Sequence, residues 1–164
     1  MGRRFSRSID SGVDVETVFA VLTGEDWADV KATHLGDGSR TVRREVTPDG
    51  GVTLVMSREL PSGVPGFLHR FLPSDGRVIT TDVWGPSDGG ARRGTWTADI
   101  PGAPAKLGGT MRIEPTPEGN RHTIDGEVKV SIPLIGGKTE SFIAEQIVRL
   151  ADTEAEVVRK VLGT

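Results

Sequence analysis

The chain has 164 residues, 35% of them apolar and 26% charged, with a net charge of −3 and no cysteine. This size suits one domain that buries roughly 70% of its unfolded-state surface, so we expect a single domain over residues 1–164. The interspersed charges argue against nucleic-acid binding, and the missing cysteines exclude disulfides, thiolate metal sites and cysteine nucleophiles.

The first quarter of the chain predicts a strand followed by two helices. Apolar and polar residues alternate over residues 4–9, which indicates a strand with one buried face. Capping-box spacing begins at Ser11, and an apolar stripe over residues 15–22 follows it, which predicts a short amphipathic helix. Residues 25–33 continue with helical periodicity, and we expect Trp27 to lie on this outer helix.

The middle of the chain predicts six further strands joined by turns rich in glycine and proline. They span residues 41–47, 51–60, 77–84, 93–100, 107–114 and 121–132. Clean alternation in the last strand places Ile124 and Val128 on an inner face and Asp125 and Glu127 on an outer one. Short turns between consecutive strands predict an antiparallel meander.

Two more helices are predicted. Residues 65–72 form a short one with a broad apolar side, and residues 138–162 form the longest helix of the chain. A single sheet with one apolar face needs a cover, and the C-terminal helix can supply it. The fold class predicted from these elements is α+β.

This order of elements is similar to the START-like superfamily, which includes polyketide-cyclase-like and birch-pollen-allergen-like proteins. The segments Arg58-Glu59-Leu60-Pro61 and Val83-Trp84-Gly85-Pro86 resemble, more narrowly, an uncharacterised actinobacterial domain-of-unknown-function family within it. The resemblance implies a helix-grip fold, a curved antiparallel sheet of about seven strands around the C-terminal helix, with an apolar cavity. It transfers no catalytic residue, because one fold hosts many functions.

The expected function is binding of an apolar or amphipathic small molecule, such as a lipid, polyketide or isoprenoid product, inside that cavity. Parity on strands and helices places a set of apolar residues inward, and we expect these to form the pocket walls: Leu54, Met56, Trp84, Trp96, Met111, Phe142 and Ile147. Phe67 and Phe71 of the short helix would form a lid. His122 would lie near the pocket mouth.

Two other classes of function stay open. A cyclase-like or dehydratase-like enzyme would use His122 or Asp82 as an acid–base group, although the facing of residues 77–84 is ambiguous and a solvated Asp82 is expected. A protein-interaction module of the chaperone-cofactor type would instead use an exposed sheet face.

Other motifs carry no chemistry. Residues 136–139 imitate the end of a phosphate-binding loop but lack its first glycine, since Ile132 stands there. No histidine has a partner at helical spacing, so no metal site or other cofactor is expected. Since no apolar run has the length of a membrane span or a signal peptide, we expect a cytoplasmic protein.

Overall fold

The computed structural model describes residues 2–72 and 76–164. Seven strands form one antiparallel sheet in the order β1-β7-β6-β5-β4-β3-β2. They are β1 (Arg3–Ser11), β2 (Arg40–Val46), β3 (Val52–Glu59), β4 (Arg77–Trp84), β5 (Arg92–Asp99), β6 (Ala105–Pro115) and β7 (Asn120–Val130). The meander from β2 to β7 and the predicted α+β class are confirmed.

The helices are α1 (Val15–Leu22), α2 (Trp27–Leu35) and α3 (Gly136–Leu162), with a 3-10 helix at Gly66–Phe71. The first helix begins at Val15 because the Asp14 side chain accepts a hydrogen bond from the Thr17 N–H. The cap predicted at Ser11 is therefore wrong, since Ser11 ends β1. The short helix expected at residues 65–72 is present as the 3-10 helix at Gly66–Phe71.

The C-terminal helix crosses the inner face of the sheet and packs mainly on β1 and β7. Near the start of the helix, the Glu140 carboxylate accepts a hydrogen bond from the Val130 N–H of β7 at 2.9 Å. Midway along the helix, Asp152 pairs with Arg7 of β1 at 2.8 Å. The curved sheet around a long terminal helix is the helix-grip arrangement that the sequence predicts.

The core has two parts. The larger one joins α1 to the inner faces of β3 to β6 and includes Val18, Phe19, Val52, Trp84 and Ile113. The second part lies where α2 and the end of α3 meet β3, and it comprises Trp27, Ala28, Leu54, Met56, Val157 and Val158. Trp27 is only 3% exposed, so the helix that the sequence predicts as an outer one buries its tryptophan.

Two glycines of the inner face mark a close approach of side chains to the backbone. Gly109 and Gly126 face each other across β6 and β7. A Cβ atom at position 126 would lie 2.5 Å from the Trp96 ring and 2.6 Å from the Phe5 ring. The absent side chain at Gly126 thus makes room for Trp96, and the space is filled by that indole.

Candidate functional site

A cavity of about 180 Å³ lies between the inner face of the sheet and α3. Its wall is mostly apolar, and all three tryptophans of the chain, Trp27, Trp84 and Trp96, contribute to it. The other apolar residues of the wall include Leu22, Met56, Pro61, Val78, Ile100, Leu107, Met111, Ile124, Ile147, Leu150 and Ala151. Six polar side chains share this wall: Lys31, Arg58, Thr80, Asp82, His122 and Glu154.

Strand register brings the sheet residues of the wall together. Side chains of directly paired residues share a face of the sheet. Leu54 of β3 pairs with Asp82 of β4, which in turn pairs with Trp96 of β5. In the same hairpin Arg58 pairs with Val78. The polar groups Arg58 and Asp82 therefore point toward the same interior as the aromatic wall.

The aromatic end of the cavity is held by specific contacts. The Trp96 indole N–H donates to the Asp125 carbonyl oxygen at 3.1 Å, which fixes the orientation of the ring. Trp84 packs edge-on against Phe19, with ring centroids 5.6 Å apart, and lies 6.2 Å from the ring of His122. These neighbours make the aromatic wall a preformed surface.

Lys31 and Glu154 form an ion pair inside the cavity wall. The Lys31 ammonium lies 3.4 Å from a Glu154 carboxylate oxygen and 5.6 Å from the centre of the Trp27 ring. The Lys31 side chain is 5% exposed. A buried ammonium is costly unless it is paired, so Glu154 compensates Lys31 and links α2 to α3.

Asp82 lines the cavity, and the residue is half-buried. Burial raises the pKa of Asp82, the nearby negative charge of Glu154 acts in the same direction and Lys31 opposes both, so that the pKa rises from 3.8 to about 7. The expectation of a solvated Asp82 is wrong. At neutral pH a substantial fraction of this carboxyl group is protonated.

His122 lies on the inner face of β7, as predicted. Its Nε2 atom is buried and has no hydrogen-bond partner among the described residues. Burial lowers the pKa of His122 from 6.5 to about 4, because the charged imidazolium would lose its hydration. At neutral pH the cavity therefore contains an uncharged imidazole.

Arg58 contributes the guanidinium group of the wall. Burial lowers the pKa of Arg58 from its ordinary value, and the carboxylates of Glu154 and Asp37 act in the opposite direction. Within the part of the chain that the structure describes, no acceptor lies in hydrogen-bonding distance of this guanidinium. The group remains charged at any physiological pH.

Six of the ten residues predicted to bind a ligand lie together in the wall: Met56, Trp84, Trp96, Met111, His122 and Ile147. Leu54 does not line the cavity, because it is fully buried in the second core. Phe142 of α3 is half-buried and also lies outside the wall.

The two predicted lid residues are placed outside the cavity. Phe67 is 38% exposed, and the Lys138 ammonium lies 4.9 Å from its ring centre. The guanidinium of Arg70 covers Phe71 at 4.7 Å. Pro61, which precedes the 3-10 helix, lines the cavity instead of these phenylalanines.

Sequence reasoning missed Lys31, Arg58 and Glu154 as members of the site, and it named Asp82 only for the enzyme alternative. The sequence could have indicated Arg58, because Arg58 and Met56 are two residues apart on one strand and therefore share a face of the sheet. Lys31 and Glu154 had no such signal, since a charged residue on a helix normally faces water. Only the packing of α2 against α3 brings these two side chains together.

A smaller recess of about 60 Å³ adjoins the main cavity near the end of α3. The two share the wall residues Leu22, His122, Ile124, Ala151 and Glu154. His122 thus borders both spaces.

Among residues 2–72 and 76–164, no group of three histidine, aspartate or glutamate side chains is placed to hold a metal ion. No helix of that same part is long and apolar enough to cross a membrane.

Solved structures share this fold. Protein TTHA0849 from Thermus thermophilus superposes with a TM-score of 0.63 at 15% identity, over 98% of this chain and 95% of that one. Norcoclaurine synthase from Thalictrum flavum superposes with a TM-score of 0.58 at 13% identity, over 100% of this chain and 88% of that one. A START superfamily protein from Mycobacterium smegmatis superposes with a TM-score of 0.52 at 13% identity, over 94% of this chain and 96% of that one. The chain therefore has the START-like helix-grip fold.

The sequence identifies the family within that fold. Residues 6–162 match the family described as "Protein of unknown function (DUF2505)", and the chain belongs to this family. The uncharacterised protein Rv0481c of Mycobacterium tuberculosis is 32% identical over 151 residues, which is 91% of this chain and 76% of that protein. The predicted resemblance to a START-like family of unknown function is confirmed.

Proposed function

We propose that the protein binds a small apolar or amphipathic molecule in the cavity between its sheet and α3. The observation that carries this proposal is the preformed cavity of about 180 Å³ with three tryptophans in its wall. For comparison, an engineered apolar cavity of about 150 Å³ accommodates benzene, and pockets for drug-sized ligands span roughly 300–1,000 Å³. The size favours a compact ring or a short chain, and a long-chain lipid would require the helix and sheet to separate further.

Titration with 1-hexanol, followed by NMR of the three indole N–H signals, tests this proposal. We expect all three signals to shift and to saturate together, with a dissociation constant on the order of 1 mM, which corresponds to about −4 kcal/mol. Burying six carbons supplies roughly 5 kcal/mol before the association penalty is subtracted, so binding tighter than this is not expected. Shifts that grow linearly without saturation would contradict a defined cavity site.

A second candidate function is an enzyme of the cyclase or dehydratase kind. The observation that favours it is the presence of Asp82 and His122 in one cavity, with pKa values displaced to about 7 and about 4. Displaced pKa values in one cleft are typical of acid–base sites. Native mass spectrometry distinguishes the two functions. A carrier yields one co-purified molecule from the wild-type protein and from Asp82→Asn alike, whereas an enzyme yields different molecules from the two.

A further inference from the structure

The guanidinium of Arg58 is a charged group of the cavity wall for which the described residues supply no hydrogen-bond partner. It belongs to β3 and lines one end of the cavity beside Pro61 and Val78. Among residues 2–72 and 76–164, no side chain or carbonyl accepts a hydrogen bond from it. Arg58 is half-buried, so the five N–H donors of its planar guanidinium are accessible from the cavity to a ligand.

The other charged groups near the cavity have ways to compensate their burial. Lys31 is paired with Glu154 at 3.4 Å, and Asp82 can take up a proton. Asp37 lies near enough to Arg58 to influence it electrostatically, but its buried Oδ2 atom has no hydrogen-bond partner in the described residues. Arg58 cannot become neutral by losing a proton, so its positive charge persists in the wall.

We propose that the ligand of this cavity is a small amphipathic acid whose carboxylate pairs with Arg58 while its apolar part lies against the tryptophans. This inference rests on the proposed binding function and assigns the chemical class of the ligand. The planar fork of an arginine matches the two oxygens of a carboxylate. The bound anion would also occupy hydrogen-bond donors that the described chain leaves unused.

The arrangement of β3 and β4 sets the orientation of the bound ligand in the cavity. Arg58 pairs with Val78 at one end of this hairpin, and Val52 pairs with Trp84 at the other. Six residues of strand separate Arg58 from Val52, which corresponds to roughly 20 Å. Thr80 and Asp82 lie between the two ends on β4. The head group therefore lies beside Arg58, and the apolar tail extends toward Trp96 and Met111.

Three probes with the same six-carbon tail test the head-group preference: hexanoate, 1-hexanol and hexylamine. Binding to the wild-type protein is followed by NMR of the indole N–H signals at pH 7. We expect hexanoate to bind about tenfold more tightly than hexanol, in keeping with a charge-assisted bidentate pair. Hexylamine should bind more weakly than hexanol, because its ammonium is repelled by Arg58.

Arg58→Met is the decisive variant, since methionine keeps much of the apolar stem and removes the charge. It should bind hexanoate no better than hexanol, with hexanol affinity retained. Arg58→Lys should keep part of the preference, because the charge remains without the planar fork. Arg43→Met is the matched control, since Arg43 lies on the neighbouring strand with its side chain 55% exposed, and it should keep the full preference.

The outcomes separate this inference from the function on which it rests. If hexanol and hexanoate bind equally to the wild type, or hexylamine binds best, the anion assignment is overturned and the cavity function stands. If hexanoate keeps its advantage in Arg58→Met, the anchor is a different group and the assignment of Arg58 is overturned. If none of the three probes binds saturably, the proposed function itself fails.

Discussion

Asp82 and His122 should give the stability of the protein opposite dependences on pH. The folded state retains the Asp82 proton up to about pH 7, whereas the unfolded chain releases it near pH 3.8, so the free energy of unfolding falls across that window. The unfolded chain protonates His122 below 6.5, whereas the folded state does so only below about 4. The free energy of unfolding therefore rises between about pH 4 and 6.5 on account of His122, and the two effects largely offset each other.

Asp82→Asn should reveal the contribution of His122 to the pH dependence of the free energy of unfolding. The variant removes the carboxyl group that opposes folding at high pH and keeps its shape. We expect its free energy of unfolding to rise between pH 4 and 6.5 and to exceed that of the wild type at pH 8 by on the order of 3 kcal/mol. Urea unfolding at pH 4.5, 6 and 8 measures both quantities.

His122→Phe is the opposing variant in the same experiment. It removes the rising contribution, so its stability should fall steadily from pH 4 to 7. Identical pH profiles for the wild type and Asp82→Asn would contradict the placement of Asp82 in a shielded cavity. The pair of variants thus tests both side chains with opposite expected signs.

At the scale of single elements, α3 shows why there is a cavity at all. The sequence predicts a C-terminal helix that covers the apolar face of the sheet. The most buried apolar residues of α3 include two alanines, Ala144 and Ala151, together with Val157 and Val158. Val161, near the end of the helix, is 45% exposed. Short side chains facing the sheet leave space that the longer residues beside them do not fill.

Ala151→Leu should block the cavity. Ala151 is 7% exposed and lines both the main cavity and the smaller recess. Three added carbons would occupy this space, so saturable binding of 1-hexanol should disappear. The free energy of unfolding should change by less than about 1.5 kcal/mol, because the new side chain fills a void. Isothermal titration and urea unfolding measure the two quantities.

Ala144→Leu is the matched control on the same helix. Ala144 is equally buried but lies outside the cavity wall, so leucine there should destabilise by overpacking and leave some binding intact. Undiminished hexanol binding by Ala151→Leu would show that the probe binds elsewhere on the protein.

The elements differ in how far their residues could be predicted from the sequence. Alternation over β7 places His122 and Ile124 on one face, and both line the cavity. On β4 the same method fails, since apolar residues occur in both parities and leave Asp82 undecided. The sequence of α2 predicts a helix but separates its apolar and polar sides only weakly, so neither the burial of Trp27 nor that of Lys31 follows from it. Those positions depend on contacts between elements far apart in the chain.

At the scale of the whole molecule, the sheet depends on α3 to cover its inner face. Without the helix, the second core loses Val157 and Val158, and the cavity loses Ile147, Leu150 and Ala151. The hydrogen bond between Glu140 and β7 and the ion pair between Asp152 and β1 would also be lost. Burial of the four larger side chains contributes on the order of 10 kcal/mol, which is comparable with a typical total stability of about 5–15 kcal/mol.

Truncation after Gly137 should therefore leave a chain without cooperative folding. Thermal denaturation followed by near-ultraviolet circular dichroism should show one cooperative transition for the full chain and none for the truncated chain. The aromatic signal should be lost because Trp84 and Trp96 no longer have a fixed environment. Asp152→Asn, which removes only the exposed pair with Arg7, should retain the transition with a small shift. A cooperative transition in the truncated chain would mean that the sheet and the first two helices fold by themselves, and that α3 is an added cover over a completed core.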